Sequence, residues 1–145
     1  MEELTPAQAR ERDLAGLQMI ERVEELLLMF PQTPVPEHTH IENGIFYKSI
    51  FIPAGCIAVG HAHTEPFFEA VMKGSMIMYA PFKEPEIIEA PYIGTGKSHK
   101  RKVGYALEDT IWATFHHSHE EDAETAEEAL IIKSETWKRI MGETK

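Results

Sequence analysis

The sequence predicts a mainly β domain, an antiparallel barrel or sandwich with one helix before it and a short helix after it. From Gly44 onward, short β-branched and aromatic runs follow one another at close spacing, separated by glycine and proline turns. Before Gly44, apolar residues recur every three or four positions, which is the period of a helix with one apolar face. No repeat or low-complexity segment divides the 145 residues, so we expect a single domain over residues 1–145.

The N-terminal helix is predicted within residues 1–30. Thr5 can cap it, Pro6 suits its first turn, and Gln8 completes a capping-box pattern. An apolar stripe then runs to about Met29. Its members are Leu14, Leu17, Ile20, Val23 and Leu27. Three prolines end the helix and lead into a predicted loop that holds His38 and His40.

The predicted barrel covers residues 45–117. Its expected strands are Ile45 to Ile52, Cys56 to His63, Glu69 to Met72, Ser75 to Ala80, Ile87 to Ala90, Arg101 to Leu107 and Ile111 to His116. Gly94 and Gly96 are predicted to mark a turn. Residues 122–142 are expected to form the C-terminal helix, whose acidic start suits the helix dipole.

Composition and charge limit the function classes. The chain carries 24 acidic against 14 basic side chains, a formal net charge of −10. Negative surface is repelled by nucleic acid and by anionic membranes, so we expect neither as a partner. The apolar runs are only a few residues long, too short for a transmembrane helix.

Cysteine usage and the N-terminal residues indicate the compartment. Cys56 is the one cysteine, so no internal disulfide can form and a reducing environment is expected. The first residues are charged and lack the apolar segment of a signal peptide. We therefore expect a cytoplasmic protein, located in the host cytoplasm if a virus encodes it.

Two histidines at the end of a predicted strand are the main candidates for chemistry. His61 and His63 are two residues apart, and side chains at this spacing share one face of a strand. Two neighbouring imidazoles can bind one Zn, Fe, Ni or Cu ion, and an added carboxylate shifts the preference toward Mn or Fe. Glu65 and Glu69 lie just downstream. An alternative is a surface histidine pair with no metal.

This segment resembles the first sequence motif of the cupin superfamily. That motif is a glycine, five residues, HxH, three or four residues, a glutamate, six residues and a glycine; Gly55, His61, His63 and Gly74 match it. Phe67 or Phe68 stands at the family's glutamate position, and Glu69 follows one or two residues later. The resemblance implies a metal held by His61, His63 and either Glu69, through a bulge, or Glu65.

A second segment, Gly94 to His99, is similar to the PxGxxH part of the second cupin motif, with glycine in place of proline. Val103 stands where the family has asparagine. The resemblance implies His99 as the third imidazole ligand. His116, at the end of the last predicted strand, is the alternative ligand. The basic residues around His99 are otherwise expected to form a solvated turn.

The run from Lys102 to His116 resembles the closing strands of small cupin-like proteins encoded by bacteriophages. Together with the first motif, this resemblance spans roughly Ile45 to His117. It implies a cupin-type antiparallel β-barrel, a double-stranded β-helix or jelly roll, whose interior can hold one small ligand. Aromatic residues are expected to line that pocket. They are Phe67, Tyr79 and Tyr105.

The sequence thus predicts a metal-binding protein of the cupin type that binds or acts on a small molecule in its barrel. The expected cofactor is a divalent transition metal, Mn, Fe, Ni or Zn, that polarises a carbonyl or activates dioxygen. The alternative is a non-catalytic ligand-binding, structural or interaction protein of the same fold. The apolar helix stripe and an exposed barrel edge also predict a homodimer or higher oligomer.

Overall fold

In the computed structural model, which describes residues 3–142, three helices and eleven strands follow one another. The helices are α1 (Pro6–Leu27), α2 (Ala123–Leu130) and α3 (Glu135–Met141). The strands are β1 (Glu37–Glu42), β2 (Ile45–Ile52), β3 (Ile57–Val59), β4 (Ala62–His63), β5 (Phe67–Lys73), β6 (Ser75–Tyr79), β7 (Glu86–Glu89), β8 (Tyr92–Gly96), β9 (Val103–Ala106), β10 (Thr110–His117) and β11 (Ile131–Ile132). Residues 1–2 and 143–145, the ends of the predicted domain, lie outside the described residues.

The strands form two main antiparallel sheets and one small pair. A five-stranded sheet has the order β1-β2-β10-β5-β8, and a four-stranded sheet has the order β3-β9-β6-β7. The third pair joins β4 to β11. The predicted mainly β, antiparallel architecture is confirmed. None of the helices within residues 3–142 is long and apolar enough to cross a membrane.

Alternation along the strands places the core between the two main sheets. Ile52 of β2 packs with Met76 of β6 and Ala106 of β9, and all three are buried. Ile50 and Trp112 lie beside them, partly buried. Because side chains alternate across a strand, the even-numbered positions of β2 and β10 point into the barrel.

Helix α1 packs outside the barrel against α3 and the start of β3. The predicted capping box is present: the Gln8 backbone N–H donates to the Thr5 hydroxyl, and the Thr5 backbone N–H donates to the Gln8 amide oxygen. Within the apolar stripe of α1, Ile20 is buried, whereas Leu14 and Val23 are 57% and 37% exposed. The predicted apolar stripe is therefore only partly covered.

Strand β1 occupies the segment that the prolines indicated as a loop. Its six residues pair with β2, and His38 and His40 lie on its exposed side. An edge strand tolerates polar residues because one face and one edge meet water. The polar sequence of β1 therefore did not show the strand pattern.

Strand β8 was also missed, because Gly94 and Gly96 indicated a turn. Both glycines lie inside the strand. A Cβ at Gly94 would lie 2.1 Å from the Tyr92 hydroxyl, and one at Gly96 would lie 2.1 Å from the Phe67 ring. These glycines leave room for aromatic rings against the backbone.

The C-terminal region is two helices rather than one. Asp122 caps α2 by accepting a hydrogen bond from the Thr125 backbone, and Ser134 caps α3 through Trp137. Between them, β11 pairs with β4. The predicted strand from Cys56 to His63 is likewise broken into β3 and β4, so that its second half pairs with the C-terminal segment instead of β9.

Candidate binding site in the barrel

A cavity of about 520 Å³ opens into the barrel between β2, β10 and the chain segment of β3 and β4. We call it the barrel cavity. Its lining includes Lys48, Ile50, His61, His63, Trp112 and Thr114. Its walls thus combine apolar side chains with a few polar groups, which is typical of small-molecule sites.

His61 lies on the cavity wall between β3 and β4. Its ring packs edge-on against Trp137 of α3, with ring centroids 5.4 Å apart. Burial, together with the nearby Arg101 guanidinium, lowers the pKa of His61 to about 4. The buried Nδ1 atom of His61 has no hydrogen-bond partner within residues 3–142. At neutral pH this imidazole is uncharged and has an unused polar atom.

His63, which lines the cavity, forms a close pair with His116. The Nδ1 atom of His63 lies 2.7 Å from Nε2 of His116, and the rings stack 4.8 Å apart. One nitrogen must donate and the other accept, so the pair is stable when both rings are neutral. Burial lowers the pKa of His63 to about 3, with a further contribution from His116, and burial alone lowers that of His116 to about 4.

Phe67 covers the other side of this histidine pair. Its ring stacks on His63 at 4.0 Å and on His116 at 5.0 Å between centroids. Phe67 stands at one of the two positions where the cupin motif has its glutamate. In this chain a hydrocarbon ring, rather than a carboxylate, therefore lies against the second histidine of the HxH pair.

Glu69 points into the barrel from β5 and is almost wholly buried. Its two carboxylate oxygens accept hydrogen bonds from the Lys102 ammonium at 2.7 and 2.6 Å. Burial and the Glu69 charge raise the pKa of Tyr92. Lys102 also lies 5.3 Å from the Trp112 ring centroid, a cation–π distance. The carboxylate predicted to bind a metal is thus paired with a cation supplied by the protein.

Lys48 is the one cationic residue among those lining the barrel cavity. It lies 2.9 Å from Glu37 and also pairs with Glu127 of α2. Burial alone would lower the pKa of Lys48, but these two carboxylates raise it above its usual value. Lys48 is therefore charged and neutralised within the protein.

The other predicted site residues lie elsewhere. His99 is exposed in a left-handed backbone conformation (φ 60°), and only its backbone N–H reaches His63, donating to the carbonyl oxygen at 2.8 Å. Glu65 is exposed. Tyr79 and Tyr105 are not among the cavity-lining residues, because their strand neighbours Met78 and Ala106 take the inward positions.

The predicted metal ligands do not fit as one donor set in this arrangement. Within residues 3–142, no group of three or more His, Cys, Asp or Glu side chains is placed to hold a metal ion. Glu69 has both oxygens on Lys102, and His99 is exposed on a separate turn. Metal binding by His61 and His63 stays a prediction. The ring of His116, the alternative third histidine, contacts the His63 ring, whereas His99 reaches His63 only through its backbone.

Sequence reasoning missed the lysines of the site. Lys48 stands at an even-numbered, inward position of β2 whose other inward residues are apolar, so the alternation of β2 already indicated an inward-facing cation. Lys102 was assigned to a solvated basic turn, but its partner lies 33 residues away. Lys102 precedes β9 of the four-stranded sheet and Glu69 lies on β5 of the five-stranded sheet, so only the packing of the two sheets against each other could show that contact.

No family model matches this chain, and no curated protein matches its sequence. Among solved structures it is similar to ectoine synthase from P. lautus, with a TM-score of 0.54 and 12% identity over 72% of this chain and 81% of that chain. KdgF from Halomonas sp. gives a TM-score of 0.51 at 10% identity, covering 63% and 86% of the two chains.

A cupin superfamily protein from Desulfitobacterium hafniense DCB-2 gives a TM-score of 0.50 at 7% identity, covering 65% of this chain and 86% of that chain. Identities this low show the fold alone, because one fold carries many functions. The two facing antiparallel sheets and the inward HxH segment agree with that likeness. The chain has the cupin fold.

Proposed function

We propose that the protein binds a small, uncharged, polar molecule in the barrel cavity. The observation that carries this proposal is the buried Nδ1 atom of His61, which has no hydrogen-bond partner within residues 3–142. A buried polar atom without a partner costs about 1–3 kcal/mol, which a ligand hydroxyl or amide group can recover. His61 also lines the barrel cavity.

The charges around the cavity favour an uncharged ligand. Lys48 already pairs with Glu37 and Glu127, so it offers no free positive charge. The imidazoles of His61 and His63 are neutral at pH 7, since burial lowers their pKa values to about 4 and about 3. A ligand ion would therefore lose its hydration without gaining an opposite charge.

The apolar part of the cavity favours a ligand with an aromatic or aliphatic body. Trp112 and Ile50 line one wall. The chain has two tryptophans, and both adjoin the site, since Trp137 packs against His61. Tryptophan fluorescence therefore reports directly on occupancy of the cavity.

The test compares benzyl alcohol with toluene, which has the same ring and no hydroxyl group. We expect both to change the tryptophan fluorescence saturably and benzyl alcohol to bind several-fold more tightly. In His61→Phe, which keeps a ring but has no nitrogen, we expect the two probes to bind equally. The exposed His119→Phe provides the matched control and should keep the wild-type preference. Absence of saturable binding, or an unchanged preference in His61→Phe, would contradict the proposal.

Metal-dependent chemistry is the second candidate, and the neutral histidines favour it. His61, His63 and His116 are all neutral at pH 7, which is the form that binds metal, and His61 and His116 each keep a buried Nδ1 without a partner in the described chain. Within residues 3–142 no three such side chains are placed to hold one ion, so these imidazoles would have to move together to bind it. A bound transition metal would supply Lewis-acid or redox chemistry.

Elemental analysis after exposure to Mn, Fe, Ni and Zn separates the two candidates. About one ion per chain in wild type, lost in His61→Ala/His63→Ala, supports the metal-dependent function. Wild type that retains no metal, while benzyl alcohol still binds, supports the metal-independent site.

A further inference from the structure

We propose that a second binding site, for a small amphiphilic anion, lies outside the barrel in the cleft between α1 and the loops that follow β6 and β8. The cleft has a volume of about 410 Å³. We call it the basic cleft. Its lining includes Leu4, Arg12, Phe67, Phe82, Lys83 and Lys97. The proposal does not depend on the function assigned to the barrel cavity.

Basic side chains are concentrated at the basic cleft. The lining of the basic cleft contains six Lys and Arg side chains and one carboxylate, that of Asp13. The whole chain has 14 basic residues and a net charge of −10. Nearly half of the basic residues of an acidic protein therefore face one concave surface. Such a surface focuses a positive potential and raises the local concentration of anions.

Three of these six cations form no salt bridge in the described part of the chain, so their charge is available to a ligand. The other three are paired: Lys100 with Asp13, Arg101 with Glu24, and Lys102 with Glu69. By contrast, Arg12, Lys83 and Lys97 form no salt bridge with a carboxylate anywhere in residues 3–142. Arg12 lies over the Phe82 ring instead, 4.8 Å from its centroid. An anionic group bound here would meet unpaired cations.

Apolar surface lies beside these cations. Phe82 and Leu4 line the cleft and remain 49% and 46% exposed. Phe82 has a left-handed backbone (φ 62°), a conformation that costs about 1–3 kcal/mol in a residue other than glycine. That conformation holds the ring at the cleft, where Arg12 covers one face. The ligand that fits is therefore an anion with an aromatic or aliphatic body.

The basic cleft and the barrel cavity are separated by Phe67. This side chain lines the cleft, and the same ring stacks on His63, which lines the barrel cavity. No residue is common to the linings of the two cavities. Substitutions at the outer cleft can therefore test this site alone.

The experiment uses two fluorescent probes that share an aromatic body. 8-Anilinonaphthalene-1-sulfonate carries a sulfonate, and N-phenyl-1-naphthylamine has no charge. We expect Lys83→Gln/Lys97→Gln to lower the affinity for the sulfonate probe at least fivefold and that for the neutral probe less than twofold. We expect Phe82→Ser to lower both affinities at least threefold, since it removes apolar surface that both probes use.

The matched control is Lys73→Gln/Lys138→Gln, which removes two cations outside the cleft and should leave both affinities at wild-type values. All of the changed lysines are at the surface, and unchanged melting temperatures and circular dichroism would show that each variant folds.

Three results would overturn the proposal. The first is equal affinity for the sulfonate probe in wild type and Lys83→Gln/Lys97→Gln. The second is an equal loss of affinity in the control variant, which would indicate a nonspecific charge effect. The third is co-sedimentation with phosphatidylglycerol vesicles that is lost in Lys83→Gln/Lys97→Gln, which would assign these cations to a lipid surface.

Discussion

The Glu69 carboxylate and the Lys102 ammonium form a two-oxygen ion pair inside the barrel, with distances of 2.7 and 2.6 Å. Glu69 is 2% exposed, whereas the Lys102 side chain is 31% exposed. Removing Lys102 and removing Glu69 should therefore have different effects on the residue that remains. A lysine can turn its ammonium toward water, but the glutamate on β5 cannot leave the interior.

The first prediction concerns stability. We expect Lys102→Met to lower the free energy of unfolding by about 3–5 kcal/mol, because it leaves a buried carboxylate unpaired. Glu69→Gln should lower the free energy of unfolding by a smaller amount, since Lys102 can reach solvent. The double variant should be more stable than Lys102→Met alone. Urea unfolding at pH 7.5 measures all three, and a larger loss in Glu69→Gln than in Lys102→Met would contradict the ion-pair assignment.

The second prediction concerns metal affinity. Lys102 holds both oxygens of Glu69, so a metal can use that carboxylate only if the lysine moves away. We expect Lys102→Met to bind Mn²⁺ or Zn²⁺ more tightly than wild type. In Glu69→Gln/Lys102→Met the metal affinity should return to the wild-type value. Glu65→Gln/Lys102→Met is the control, since Glu65 is exposed. Calorimetric titration that gave equal affinities for wild type and Lys102→Met would show that Glu69 is not a ligand.

The third prediction concerns pH. Burial lowers the pKa of His63 to about 3 and that of His116 to about 4, from 6.5 in the unfolded chain. Well above pH 6.5, neither the folded nor the unfolded chain binds a proton at these two histidines. As the pH falls from 6.5 toward 4, the unfolded chain is protonated first, so stability decreases. Each histidine adds a slope of up to about 1.4 kcal/mol per pH unit.

Urea unfolding between pH 7.5 and pH 5 measures this slope. We expect His63→Phe/His116→Phe to flatten the curve, because the protonating groups are removed from both states. The exposed His119→Gln should keep the wild-type curve. A curve that stays equally steep in the double phenylalanine variant would show that other groups cause the acid sensitivity.

The fourth prediction compares two glycines of the first motif. Gly55 and Gly74 both have a left-handed backbone, with φ of 84° and 87°. A Cβ at Gly55 meets nothing within 4 Å, whereas one at Gly74 would lie 2.3 Å from the Asp109 carbonyl oxygen. We expect Gly55→Ala to lower the free energy of unfolding by about 1–2 kcal/mol, because an alanine is strained in a left-handed backbone conformation. Gly74→Ala should lower the free energy of unfolding by about 1–3 kcal/mol more, because the added Cβ overpacks this contact. Equal melting temperatures for the two variants would contradict the contact with Asp109.

The fifth prediction is self-association through the outer face of the five-stranded sheet. Phe68, Met72 and Ile93 point outward there and are 59%, 56% and 76% exposed. On the same face, Glu42 of the edge strand β1 lies opposite Ile45, and Lys73 at the end of β5 lies opposite Ile111. The outward positions between these two charged residues carry no charge, and Ala70 and Ala113 among them are buried. They are Tyr47, Ser49, Phe51, Ala70, Thr95, Ile111, Ala113 and Phe115. This uncharged central part of the face lets two copies meet despite a net charge of −10 each.

Light scattering at tens of micromolar should therefore show a dimer, and Ile93→Lys should shift it toward monomer. Ile87→Lys is the matched control, since Ile87 is 66% exposed on the other sheet. A monomeric wild type, or equal effects of the two substitutions, would reject this face as the interface.

The sequence predicted the barrel strands well because most of them bury one face. Ile45–Ile52 is confirmed at both ends, and the capping box at Thr5 is confirmed by its two hydrogen bonds. Sequence patterns failed to predict strands whose composition depends on contacts with residues far away in the chain. Strand β1 is polar because it is an edge, and β8 contains glycines because the rings of Tyr92 and Phe67 need space.

The candidate site shows the same limit. The HxH spacing predicted that His61 and His63 share a surface, and both line the barrel cavity. The choice between His99 and His116 depends on which strands adjoin β4, and the sequence did not contain that information. His116 meets His63 across 53 residues of chain, and Lys102 meets Glu69 across 33. Such pairs are set by sheet topology rather than by spacing.

The short strand that carries His63 has a consequence for the order of folding. Within the described residues, β4 pairs with β11, near the C-terminus, and the Thr64 backbone donates to the Leu130 carbonyl oxygen. During synthesis on the ribosome, residues 131–132 emerge after all the other strands. The wall of the cavity at His63 is thus completed last, and a chain truncated before β11 would keep most of its barrel strands while leaving this wall unpaired.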